Sequence, residues 1–317
     1  MKLFTKAKRA TASPEVVTAR DTIARRHQTG VEILSNAGGR PSHPEPDTAR
    51  LPDGPGLPEF KMEDLTPGLL RAAILRDGCA LVRGLISRED ALAFADQIDS
   101  AFAEREHQIA GESREPGLYE PFQPVAEYEF EDGIREWIRQ GGGVLAMDSP
   151  LLAAGMFERL EHAGLPALIE GYLGEAPVLS VQKTTLRKAT PDVSGAWHQD
   201  GKFMGDVRAM NLWLSLSRCG DVAPGLDIVP RRLNEFVSAG TEGALLDYAV
   251  EDRIVNEVAG DTPVIRPIFE PGDAMLFDDL FLHQTGSDPS MPNPRYALES
   301  WYFGGSGFPA DYAPIAV

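Results

Sequence analysis

Cysteine is nearly absent: Cys79 and Cys219 are the two in 317 residues. Two isolated thiols build no disulfide framework, so a reducing, cytoplasmic setting is expected. Positive charge is also short. Lys and Arg number 30 against 48 Asp and Glu, a net of −18. Phosphate backbones are gripped by clustered cations, so nucleic acid is excluded as a partner class. No run of about 18 apolar residues occurs, which argues against a helical membrane span. Met1 to Lys6 carry charge with no apolar core behind them, unlike a secretory signal. No internal repeat is visible. Histidine is rare, at six, so each one carries information.

Glycine (31) and proline (25) are plentiful and suit a loop-rich β architecture. The basic residues that exist gather early. Lys2, Lys6, Lys8, Arg9, Arg20, Arg25 and Arg26 stand against Glu15 and Asp21. This basic arm reads as a solvated, partly helical tail, or as a strap on the acidic body or on a neighbouring subunit. Residues 38–61 are rich in Gly and Pro and read as a linker or a wrapping segment. The division expected is therefore an arm and linker over 1–63 and a single domain over 64–317.

Order is expected from about Leu65. Thr66-Pro67 predicts an N-cap with Pro at the first helical position, and Gly78 predicts the stop. Cys79–Val82 reads as a strand. Ser87 with Asp90 predicts a second capped helix, with Leu92, Ala95, Ile98 and Phe102 as its apolar stripe. Residues 101–140 mix ten acids and four arginines with Tyr119, Phe122, Tyr128, Phe130 and Trp137. They read as a wall over a pocket or as a surface excursion. Residues 151–173 look helical again. From Val178 the texture turns to strands: Val178–Lys188, the segment around His198, Met210–Ser217, Leu226–Val229, Val264–Phe269, Ala274–Phe277, Phe281–His283 and Tyr296–Phe303. Helices first and many short strands afterwards predict a mainly β jelly roll with flanking helices.

The chemistry centres on Ala196-Trp197-His198-Gln199-Asp200-Gly201. On an extended strand His198 and Asp200 point to the same face, because side chains alternate with period two. His283 is the candidate third ligand, since His27 and His43 lie in the arm and His107 and His162 have no carboxylate at strand spacing. Two histidines and one carboxylate on one face of a metal leave the other face open, the ligand set of non-haem Fe(II) oxygenases. Such a centre needs a two-electron donor. Arg295, at the head of the last strong strand, suits a two-point grip on the far carboxylate of a 2-oxo acid.

His198-Gln199-Asp200, His283 and Arg295, in that order, resemble the phytanoyl-CoA dioxygenase family of Fe(II)/2-oxoglutarate oxygenases. Arg76-Asp77-Gly78-Cys79-Ala80-Leu81-Val82-Arg83-Gly84-Leu85-Ile86 is similar to that family's opening segment. The resemblance covers about residues 64–305. It implies a double-stranded β-helix of cupin type, with Fe(II) on His198, Asp200 and His283, and with 2-oxoglutarate and O₂ as cosubstrates. It also implies further 2-oxoglutarate contacts from Trp213, Thr285 and Gln182. Asp200 is present where halogenating relatives lack the carboxylate, which favours hydroxylation or a related oxidation over halogenation. Where the family often has Pro-Gly-Ser-His, this chain has Val229-Pro230-Arg231-Arg232. That weakens any transfer of substrate.

The expected partner is a small or medium organic molecule. Lys202, Phe203, Met204 and the aromatic segment 119–137 are expected to wall its pocket. Oligomeric state is not legible. Two other classes stay open. One is another cupin-like metalloenzyme, a hydrolase or isomerase, in which Arg295 and Trp213 have no assigned role. The other is a non-catalytic metabolite-binding β-barrel, against which the complete ligand set speaks.

Overall fold

The computed structural model describes residues 12–193, 195–241 and 247–317. Ser13 opens helix α1 (Pro14–Ser35) by accepting from the Val16 amide. Val16, Ala19, Ile23, His27 and Gly30 form its buried face at helical spacing. Part of the expected tail is thus a packed helix. Lys2, Lys6, Lys8 and Arg9 lie outside the described residues. Strand β1 (Glu59–Lys61) precedes helix α2 (Pro67–Asp77), which Thr66 caps and Gly78 ends at φ +80°. Strand β2 (Cys79–Arg83) leads to helix α3 (Arg88–Ile109), where the Ser87 hydroxyl accepts from the Asp90 amide at 3.0 Å. The buried stripe of α3 is Ala91, Phe94, Ala95, Ile98 and Ala101, whereas Leu92 is 40% exposed. The helix is turned so that Phe94, rather than Leu92, meets the core.

Helix α4 (Asp132–Gln140) and the short strand β3 (Gly143–Leu145) complete the acidic region. The expected helix over 151–173 is two helices, α5 (Pro150–His162) and α6 (Leu165–Leu173). Gly164 at φ +76° turns the chain between them, a conformation open to glycine.

The strands follow: β4 (Pro177–Ala189), β5 (Ala209–Ser215), β6 (Gly225–Ile228), helix α7 (Asp252–Ala259), β7 (Ala274–Phe277), β8 (His283–Gly286), β9 (Arg295–Gly304) and β10 (Pro314–Ala316). The large sheet runs β1-β2-β7-β5-β9-β4-β10, with β3 also on β4. Apart from the parallel β1/β2 pair, these pairings are antiparallel. The facing sheet is β6 with β8, extended by single bridges from His198 to His283 and from Ile228 to Ile265. Residues 264–269 make isolated bridges only. Pro263 and Pro267 remove two amide donors there and cap the ladder.

Alternation along β5 divides the core. Met210, Leu212 and Leu214 join the helices outside the large sheet, while Ala209 and Trp213 face into the barrel with Phe269, Phe277 and Trp301. The architecture is the mainly β jelly roll with flanking helices expected from the pattern.

Candidate metal centre

The segment carrying the first two ligand candidates is held against β8 by two backbone bonds. His198 N donates to His283 O at 3.0 Å, and His283 N to His198 O at 3.2 Å. This puts the two imidazoles side by side, ring centres 4.5 Å apart. Gly195 permits the approach: a Cβ there would meet the Thr285 amide nitrogen at 2.5 Å. Asp200 leaves the extended path and opens a short 3₁₀ turn through Phe203. Gln199 points the opposite way. Its amide donates to Glu235 O and Leu280 O and accepts from Val237 N, so it anchors the ligand segment to two loops.

His198, Asp200 and His283 each offer a ligand atom, all within 4.8 Å of one another. Both histidines hold Nδ1 on the carbonyl two residues back, His198 on Ala196 O at 2.8 Å and His283 on Phe281 O at 3.1 Å. A carbonyl only accepts, so Nδ1 carries the proton and Nε2 is left with its lone pair for a metal. Burial first, then the neighbouring His198, pulls the His283 pKa down to about 4, which keeps that lone pair free near neutral pH. Asp200 Oδ2 lies 3.6 Å from His283 Nε2 and is buried without a hydrogen-bond partner. Burial works against its charge, but His198 and His283, then Lys183 and Arg187, hold the carboxyl below its ordinary range. A buried anionic oxygen with no donor is costly unless something cationic fills the gap. Two N and one O donor with one open side suit a divalent transition metal.

The remaining candidates line the same cavity, of about 490 Å³: Gln182, Trp213, Thr285 and Arg295. Arg295 is 5% exposed, sits 5.3 Å from the Trp213 ring and donates from Nη1 to Gly225 O at 3.3 Å. Its Nε is buried and unbonded. Burial above all lowers its pKa, the sign of a cation without its counter-ion. The Gln182 amide is committed to the chain itself, donating to Asp311 O at 3.0 Å and accepting from Ala313 N at 2.9 Å.

The walls differ from expectation. Phe203 lines the cavity, but Lys202 points to Phe236, and Met204 is buried in the barrel core. Of the aromatics in 119–137, Trp137 lines it, whereas Tyr119, Phe122, Tyr128 and Phe130 pack on the helices. Arg231 and Arg232 do not line it either. Arg231 caps carbonyls at the end of α7, and Arg232 pairs with Asp278. Sequence reasoning missed Lys183, Arg187, Tyr248 and Glu299, all cavity residues. The alternation of Thr185, Arg187 and Ala189 along β4 was the available signal for Arg187.

No family model and no curated protein matches the chain. Solved structures do. EctD from S. alaskensis with bound Fe superposes with a TM-score of 0.54, at 16% identity, over 83% of this chain and 88% of that one. The same protein with 2-oxoglutarate and 5-hydroxyectoine gives 0.53, at 17% identity, over 83% and 86%. At that identity the likeness defines the fold. The chain is a cupin-type jelly roll in which His198, half-buried, and Asp200 and His283, both buried, line one cavity in a grouping able to hold a metal ion.

Proposed function

We propose that the chain is an Fe(II)- and 2-oxoglutarate-dependent dioxygenase, of the phytanoyl-CoA dioxygenase type, that hydroxylates a small or medium organic molecule. The observation carrying this reading is the buried, unbonded Asp200 Oδ2 facing two imidazoles whose Nδ1 atoms are already occupied. The EctD structures, which hold Fe in one case and 2-oxoglutarate in another, support it through the shared fold. In this reading residues 64–317 form the catalytic domain, preceded by the arm and linker over 1–63.

His198, Asp200 and His283 would hold the iron. Bound Fe(II) with 2-oxoglutarate supplies O₂ activation, with release of succinate and CO₂ and transfer of one oxygen atom to substrate. Arg295 pairs with the distal carboxylate of 2-oxoglutarate and restores the counter-ion that its burial calls for. Trp213 packs against the guanidinium and fixes its plane. Thr285 offers a hydroxyl to the same carboxylate, and Gln182 lines the cavity while bonded to Asp311 O and Ala313 N. Phe203, Trp137 and Tyr248 limit water at the rim.

The test is an anaerobic titration of apo-protein with Fe(II) and 2-oxoglutarate, followed by the visible charge-transfer band of the chelate. The band is expected in the wild type and absent in His198→Ala. Arg295→Ala should need far more 2-oxoglutarate, since losing one partner of a buried ion pair costs on the order of 2–5 kcal/mol, about 30-fold or more in affinity. Iron binding without a band would move the other cupin-like metalloenzymes ahead.

A further inference from the structure

Strand β4 carries a register break that decides what faces the cavity. Its pairing with β9 runs from Pro177↔Gly304 to Leu179↔Tyr302 and resumes at Thr184↔Ser300, so residues 180–183 stand opposite Trp301 alone. The loop closes on itself: Lys183 N donates to Ser180 Oγ at 3.2 Å, and Thr184 Oγ1 donates to Ser180 O at 2.8 Å. Bulges re-aim side chains. Here two consecutive residues, Gln182 and Lys183, both line the cavity, which a regular strand does not allow.

Gln182 is held by backbone, but the Lys183 ammonium is not paired: Asp200 feels its charge only from beyond ion-pair distance. It lies 5.2 Å from the Phe203 ring centre and has no carboxylate within ion-pair distance among the described residues. The other cavity charges have partners. Arg187 stands 3.4 Å from Glu299. In the reading above, Arg295 faces the distal carboxylate of 2-oxoglutarate and Asp200 faces the metal. Phe203, 44% exposed, lies against this cation, and Trp137, 59% exposed, lines the same cavity, so apolar surface is open there.

We propose that Lys183 recognises the substrate of this enzyme, and that the substrate is a small carboxylate with an apolar body seated between Phe203 and Trp137. One unmatched ammonium balances one carboxylate. A dianionic phosphate ester would leave a negative charge beside Glu299 in a chain of net −18. The inference rests on the proposed function for the place of metal and cosubstrate.

The test uses the full chain, loaded anaerobically with Fe(II) and 2-oxoglutarate, as wild type, Lys183→Met and Lys183→Arg. The probes are matched pairs, each an arylalkanoate and its primary amide, followed by paramagnetic broadening of the probe's proton resonances. The wild type is expected to bind at least one acid about 10-fold or more tighter than its amide. Lys183→Met should erase that preference and Lys183→Arg should keep most of it. The chelate band should titrate at the same 2-oxoglutarate concentration in all three, which also reports that each variant is folded. Equal binding of every acid and amide by the wild type, or a preference that survives Lys183→Met, overturns the proposal. So does a Lys183→Met band that needs much more 2-oxoglutarate, because Lys183 would then serve the cosubstrate. An acid preference that depends on Lys183 in a protein that never forms the band leaves the anion subsite standing and removes the Fe(II)/2-oxoglutarate reading alone.

Discussion

Asp200 and His27 are both buried polar groups, and they differ in one respect. Asp200 Oδ2 has no donor, so its burial is a cost the apo-protein carries. Asp200→Ala is expected to abolish Fe(II) binding while the apo-protein still folds, since the unbonded oxygen's burial cost offsets what the surrounding charges contribute. Iron titration and urea denaturation of one preparation check both halves. His27 is fully matched. Its Nδ1 donates to Pro314 O at 2.7 Å and its Nε2 accepts from Val125 N at 3.0 Å, which requires the neutral ring. Burial, only partly offset by the Pro314 bond, lowers its pKa from the ordinary 6.5. Between the folded value and 6.5 the unfolded chain takes up a proton that the folded chain refuses. Stability is then full above about pH 6.5 and falls as pH drops. Urea midpoints at pH 8 and pH 5 should differ in that direction, and His27→Gln should flatten its share of the slope.

At the scale of elements, the ligand segment depends on how closely residues 195–198 lie on β8. Gly195→Ala would push a methyl group into the Thr285 backbone and should cost about 1–3 kcal/mol, with weaker iron binding. Gly133→Ala, in open space on α4, is the matched control and should be neutral or slightly stabilising. A Gly195→Ala protein with wild-type stability and iron affinity would show that the segment has room to move. Elements were legible where their signal is local. The caps at Thr66 and Ser87, the stop at Gly78 and the alternation of β5 all depend on near neighbours in sequence. The triad was legible because histidine is scarce and the spacing is chemical. What depends on distant partners was not. Nothing local marks Ser180–Lys183 as a bulge, Gln199 as an anchor, or α1 as a packed helix, since each is settled by a strand or loop far along the chain.

For the whole molecule, the barrel encloses a cavity whose candidate metal ligands come from two segments, one before β5 and one on β8. A metal that binds only the folded form stabilises both together. Iron at about 100 times its dissociation constant should add about 2.7 kcal/mol, read as a rise in Tm that EDTA reverses. Asp200→Ala should show no such rise.

Helix α1 has one further consequence. It is the first described helix, and it rests on β10, the last strand, through His27 and through Gly30, where the backbones nearly touch. It rests as well on α5, where Arg26 pairs with Glu161 and lies 4.2 Å from the Phe157 ring centre, so it joins parts of the chain far apart in sequence. Val16, Ala19 and Ile23 are buried in that seat. The docking of α1 is thus a non-local contact, formed only once chain far beyond the helix is in place.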